Sequence, residues 1–255
     1  MGRVPLSRAD DLALRRLLAD ERDLTWGAAD DLAFWQGVAH RHTGQILELG
    51  CGAGRILTAL SAPGHMLTGV DLDPFALRVA AERSPSARWI RADGRDWRGD
   101  SSAAALVIIG GDLLSVVVER DDLVALLRTA KVHSAPGGVV GLDATLMDPH
   151  LLRSMSGAEW EEDLLREDPD LSKVRRESRI VPDPDRRPNT ALLEIRHRSV
   201  DKAGRNGAFY PDREAFPVRA WRPDEVEAAA AAAGLQLAQM VASDRLRWLL
   251  RSADE

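Results

Sequence analysis

At 255 residues, 45% of them hydrophobic and 29% charged, the chain has the composition of a soluble globular protein large enough to bury one extended core. Its formal net charge of −6 argues against a broad nucleic-acid face, which is normally basic, and its single cysteine, Cys51, excludes an internal disulfide. The N-terminal stretch is charged throughout and lacks the apolar centre of a signal peptide, and the longest apolar run, 103–118, is broken by Asp112 and falls short of a bilayer; the expectation is a cytoplasmic protein with neither nucleic acid nor membrane as a partner.

Ser7, with Asp10 three residues on, predicts the cap of a first helix that carries Leu14, Leu17 and Leu18 on one face. A second helix is expected over about 28–40, with Leu32, Phe34, Trp35 and Val38. Neither follows a strand, so residues 1–44 stand before the repeating unit. From residue 45 strands and helices alternate. "QILEL" is a buried strand, "RILTALSA" a helix and "HMLTGVDL" the next strand. Asp73-Pro74 then supplies an N-cap and a first-turn proline for "FALRVAAER". "ARWIRAD" and "AALVIIGG" read as the third and fourth strands. "DDLVALLRTAKVH" is an amphipathic helix lined by Leu123, Leu126, Leu127 and Ala130, and "PGGVVGLDATL" a turn and a fifth strand. Such alternation implies right-handed βαβ units and a parallel sheet covered on both faces.

Residues 151–220 break this rhythm. The charged stretch 158–179 is expected to be partly helical, whereas "ALLEIRHRSV" and "AFPVRAWRP" read as strands. The α/β pattern resumes with a helix over 223–233, Pro223 near its start and Gly234 just past its end, followed by two strands; the alanine run 228–233 is read as close helix packing. Four segments result: N-terminal helices 1–44, an α/β core 45–150, an inserted segment 151–220, and 221–255 completing the core.

The stretch "ILELGCGAGRIL" places Gly50, Gly52 and Gly54 after a strand and before a helix, where open parallel sheets bind ligands at their carboxyl edge. The dinucleotide fingerprint G-x-G-x-x-G requires a further glycine at position 55 or 57; these are Arg55 and Leu57, which counts against a nicotinamide cofactor. The pattern present is acidic-x-G-x-G-x-G, from Glu48 to Gly54, followed by Asp71 at the end of the second strand and Asp93 after the third. This resembles the class I S-adenosylmethionine-dependent methyltransferases of the small-molecule type. The resemblance implies a Rossmann-like, doubly wound, seven-stranded, mostly parallel sheet with an inserted α+β cap, S-adenosylmethionine as cofactor and S-adenosylhomocysteine as product. By the same resemblance Gly50, Cys51 and Gly52 lie against the methionine part and ribose, while Glu48 orients the loop or meets the ammonium group. Asp71 takes both ribose hydroxyls with Leu72 beside it, since a carboxylate offers two acceptor oxygens to a vicinal diol. Asp93 takes the adenine amino group and Gly94 offers backbone; Gly110, after the fourth strand, and Trp26, closing over the cofactor, complete the set.

Methyltransferases acting on nucleic-acid bases often carry Asn/Asp-Pro-Pro-aromatic after the fourth strand; "IIGGDLLS" stands here instead. A small-molecule substrate is expected, methylated on nitrogen or oxygen, as in enzymes of secondary metabolism. Residues 151–220 resemble the insertions that roof the pocket in such enzymes, and serve equally as an oligomerisation element of a homodimer. An alternative function keeps the cofactor but catalyses a non-methylating reaction such as cyclisation. Asp112, after the fourth strand, is expected to orient the acceptor, and His150, after the fifth, to remove a proton. No metal is expected, since His40 and His42 lie two apart and lack ligand spacing.

Overall fold

The computed structural model describes residues 29–99, 103–145, 149–155, 157, 159–168, 172–201, 203–242 and 245–254. The first expected helix, with Ser7, and Trp26 lie outside them. The core opens with helix α1 (Ala29–Arg41), strand β1 (Gly44–Leu49), helix α2 (Arg55–Ala59), strand β2 (His65–Asp71) and helix α3 (Pro74–Arg83). Strands β3 (Arg88–Arg91) and β4 (Ala104–Ile109), helices α4 (Leu113–Val116) and α5 (Arg120–His133) and strand β5 (Ser134–Thr145) follow. After an inserted segment the chain returns as helix α7 (Pro223–Ala232) and strands β10 (Leu235–Ala242) and β11 (Arg245–Ser252).

These strands form one seven-stranded sheet in the order β10-β11-β5-β4-β1-β2-β3. β1 to β5 run parallel, and β11 enters antiparallel between β5 and β10. The strand order reverses between β1 and β4, so the crevice outside their carboxyl ends is where a ligand fits. Both faces are covered, and side chains alternate between them. Ile46, Leu106, Ile108 and Val139 pack on one face with Trp35 and Val38 of α1 and Ile56 and Leu57 of α2. Leu47, Leu49, Val107, Ile109, Val140 and Leu142 pack on the other with α5, α7 and Trp248. Asp73 caps α3 as its sequence implies, accepting from Phe75 N at 2.7 Å with Pro74 in the first turn. The alanine run packs too: Ala229, Ala230 and Ala233 are buried in the second cluster.

Residues 147–220 cluster as a compact unit separate from the core. Their described residues hold one short helix, α6 (Pro149–Met155), and an antiparallel sheet of β6 (Glu161–Asp168), β7 (Ser172–Pro182), β8 (Thr190–Val200) and β9 (Asn206–Arg219), paired in that order. The expected helical character of 158–179 is therefore wrong. Its charges pair across strands instead of along a helix: Arg179 with Glu194 at 2.6 Å, and Arg196 with Glu177 at 2.6 Å. Opposite charges placed directly across a ladder are the sheet counterpart of helical i,i+4 pairs.

Candidate active site

β1 ends at Leu49 and the chain turns back over the end of β2. Gly50 N and Cys51 N both donate to Val70 O, at 2.8 and 3.1 Å, and Gly52 N donates to Asp71 Oδ2 at 2.8 Å. The turn requires positive φ at Gly50 (75°) and Gly54 (77°), a conformation that side chains other than glycine disfavour. Packing adds to the demand. A side chain at Gly50 would collide with Leu113, and a β-carbon at Gly54 would stand 2.6 Å from the Trp89 ring. The resemblance set Gly50, Cys51 and Gly52 against a ligand; at Gly54 the neighbour is the protein's own tryptophan.

The loop faces a cavity of about 320 Å³ lined by Gly50, Asp71, Leu72, Asp93, Gly94, Arg95, Leu113, Val116, Val117, Asp122 and Leu126. Asp71 Oδ1 accepts from Asp73 N and Oδ2 from Gly52 N, both at 2.8 Å, so two backbone donors fix the direction of this carboxylate. Asp93 accepts from Arg95 N at 2.9 Å and from the Arg95 guanidinium, whose hydrogen bonds hold its carboxyl below the usual range. Leu72 and Val116 keep large apolar surfaces exposed here, 59% and 37%. A smaller adjoining cleft is lined by Glu48, Gly50, Cys51, Arg55, Ile56, Gly110 and Gly111. The structure thus brings Gly50, Asp71, Leu72, Asp93 and Gly94 around one cavity, and Glu48, Cys51 and Gly110 around its neighbour. Gly50 lines both, whereas Gly52 lines neither and donates to Asp71.

Asp112 is placed differently from expectation. It has φ 64° and is 2% exposed, and it lines neither cavity. Its Oδ1 accepts from Thr145 N at 2.7 Å and Ser115 Oγ at 2.9 Å, and its Oδ2 from Thr145 Oγ1 at 2.7 Å. A carboxylate committed to three internal donors fastens the end of β5 to the loop after β4; the expectation that it orients an acceptor is corrected accordingly. Beneath it, Asp143 Oδ1 accepts from Asp112 N at 3.1 Å and meets Arg245 Nη2 at 3.1 Å. Burial pushes the Asp143 carboxyl up to about 6, against the pull of Arg245. His150 is the second residue of α6, exposed, within the inserted unit.

Sequence reasoning missed Arg55, Arg95, Asp122 and Arg245. Arg55 lines the smaller cleft and is held by a bidentate pair with buried Asp31, at 2.8 and 2.5 Å. Only the position of Arg55 immediately after the glycine loop hinted at a role.

Residues 46–138 match the protein family described as a methyltransferase domain. Trans-aconitate 2-methyltransferase of Paracidovorax citrulli is 33% identical over 132 residues, 51% of this chain and 48% of that protein. The 2-ketoarginine methyltransferase of Streptomyces arginensis is 28% identical over 119 residues, 42% of this chain and 34% of that protein. The chain therefore spans about half the length of the first relative and about a third of the second. Among solved structures, Streptomyces venezuelae DesVI superposes with a TM-score of 0.71 over 98% of this chain and 100% of that one, at 20% identity. S-adenosylmethionine-bound CalS10, an amino pentose methyltransferase from Micromonospora echinaspora, gives 0.67 over 98% and 99%, at 22% identity. At these identities the superpositions establish the fold.

Proposed function

We propose that this chain is a class I S-adenosylmethionine-dependent methyltransferase acting on a small molecule, a reading supported by the methyltransferase domain matched over residues 46–138 and by the shared fold. The observation that carries the reading is the convergence of Gly50, Asp71 and Asp93, from the carboxyl ends of three neighbouring parallel strands, on one cavity. The cavity suits the cofactor. Asp71 offers two oxygens, set by backbone donors, to a ribose diol. Leu72, Val116 and Leu126 supply apolar surface for a purine, and a β-carbon at Gly94 would stand 3.1 Å from Leu126, so glycine lets the backbone after Asp93 lie close to α5. In the adjoining cleft Glu48 offers a carboxylate to the ammonium group of an amino acid, beside Arg55, whose guanidinium is paired with Asp31.

S-adenosylmethionine, when bound, supplies a methyl group on an electrophilic sulfonium. The chain's own task is then alignment of the acceptor, which contributes about 7–11 kcal/mol in favourable cases. The inserted unit, 147–220, is read as the acceptor-facing element, since binding commonly resides on segments added to a rigid scaffold. Relatives named for trans-aconitate and 2-ketoarginine, and the amino pentose enzyme of calicheamicin biosynthesis, support a small polar acceptor of secondary metabolism. His150 is the base for a hydroxyl acceptor; an unchanged single-turnover rate in His150→Gln removes it. Among the described residues no helix is long and apolar enough to cross a membrane, and the protein is read as cytoplasmic.

The test is calorimetric titration with S-adenosylmethionine and S-adenosylhomocysteine, followed by mass spectrometry of candidate acceptors for a methyl gain. Binding of both ligands with methyl transfer to a small amine, hydroxyl or carboxylate is expected. Binding without transfer to any acceptor supports the non-methylating alternative, and tight binding of NAD instead overturns the assignment. Surface substitutions in 147–220 are expected to change acceptor affinity and spare cofactor affinity; a change in subunit association alone makes that unit an interface.

A further inference from the structure

The carboxylate assigned to the adenine amino group is already engaged. Arg95 Nε donates to Asp93 Oδ1 and Oδ2 at 3.0 and 3.1 Å, Nη2 donates to Oδ2 at 2.6 Å, and Arg95 N donates to Oδ1 at 2.9 Å. Three N–H groups therefore face the carboxylate, the single Nε–H shared between its two oxygens, so that the guanidinium side takes both oxygens. An amino group arriving at Asp93 competes with the guanidinium for these oxygens. The same guanidinium reaches a second carboxylate, Asp122 in the first turn of α5, through Nη1 at 2.9 Å. All three residues line the 320 Å³ cavity.

We propose that Arg95 is a latch on the adenine subsite, standing on Asp93 in place of the purine amino group and shifting wholly to Asp122 when the cofactor enters. The inference rests on the cofactor reading above. The backbone here is held by Ala92 N donating to Asp71 O at 3.0 Å and Trp97 N to Asp93 O at 3.0 Å, so the side chain of Arg95 moves and the backbone of 93–95 stays. The exchange is cheap because it takes place in contact with water: the Arg95, Asp93 and Asp122 side chains are 44%, 27% and 41% exposed. Exposed ion pairs are weak and salt-screened. Asp122 keeps Arg95 paired after release, so no charge is abandoned. The latch weakens product as much as cofactor, and so favours product release, a step that limits turnover in many enzymes.

Arg95→Ala is expected to bind S-adenosylhomocysteine about two- to fivefold more tightly than the parent at low ionic strength, the worth of an exposed pair. Added salt should close that gap by strengthening the parent. The analogue of S-adenosylhomocysteine with hydrogen in place of the 6-amino group makes no demand on Asp93, and its affinity should be the same in both proteins. Unchanged or weaker binding of S-adenosylhomocysteine by Arg95→Ala, or an equal gain for both ligands, overturns the latch. A parent that binds neither ligand overturns the cofactor reading itself, which the parent titration reports independently of the variant.

Discussion

Exchanging Arg245 for Met costs the core about 3–5 kcal/mol at neutral pH, the usual effect of removing one partner from a buried ion pair. Arg245 is 4% exposed. It donates to Thr145 Oγ1 at 3.0 Å, meets Asp143 Oδ1 at 3.1 Å and lies 3.8 Å from Asp112 Oδ1. Met keeps most of the volume, so the loss reports charge. Among the described residues Asp143 Oδ2 has no hydrogen-bond partner, which leaves Arg245 as the main compensation for a fully buried carboxylate. The loss is pH-dependent, with a definite sign. Asp143 titrates near 6 in the folded core against 3.8 for a free side chain, so the folded state binds its proton more tightly. Its contribution to stability is complete below about pH 4 and is lost as pH rises through about 6, by roughly 3 kcal/mol. At about pH 5 the carboxyl is already mostly neutral, and the Arg245→Met penalty should shrink by at least about 1 kcal/mol. Denaturant unfolding of parent and variant at the two pH values measures this. Equal penalties at both would remove the charge coupling from the account.

Asp71→Ala should weaken S-adenosylmethionine and S-adenosylhomocysteine roughly ten- to a hundredfold, from about 1.5–3 kcal/mol of charge-assisted hydrogen bonding. Two consequences of the truncation act together. The carboxylate that faces the cavity is gone, and Gly52 N and Asp73 N lose their acceptors at 2.8 Å. Asp71→Asn separates them, because its amide oxygen can still take one backbone donor while the charge is lost. Its affinity should fall between parent and Ala variant. Calorimetry with each protein shown to be folded by its thermal transition decides the matter. An Ala variant that binds as tightly as the parent would place the ribose elsewhere.

What the sequence made legible was local. A glycine triplet after an apolar strand, and acidic residues at the ends of successive strands, fall within a few positions of the elements that place them. Gly50, Asp71, Leu72, Asp93 and Gly94 accordingly meet at one cavity. Partners that meet only through the tertiary fold stayed hidden. Asp31 and Arg55 are 24 positions apart, and Thr145 and Arg245 are 100 apart. Asp112 was misjudged for this reason: its place after β4 suggested an outward carboxylate, whereas Thr145 from β5 turns it into an internal fastening. The stretch 158–179 misled because runs of Arg and Glu suit a solvated helix face as well as a sheet whose charges pair across strands, and spacing along one chain cannot separate the two.

The antiparallel entry of β11 beside β5 has a consequence for synthesis on the ribosome. The strands that carry the glycine loop, Asp71 and Asp93 emerge first, yet the neighbour of β5 is made only after the whole inserted unit has been translated. Trp221, whose indole N–H donates to Leu114 O and Val117 O at 2.9 Å, arrives late as well. At elongation rates of about 5–20 residues per second, the nascent half-domain waits roughly 5–20 s with one flank of β5 unpaired. During that interval its backbone donors and acceptors are open to a neighbouring nascent chain or to a chaperone.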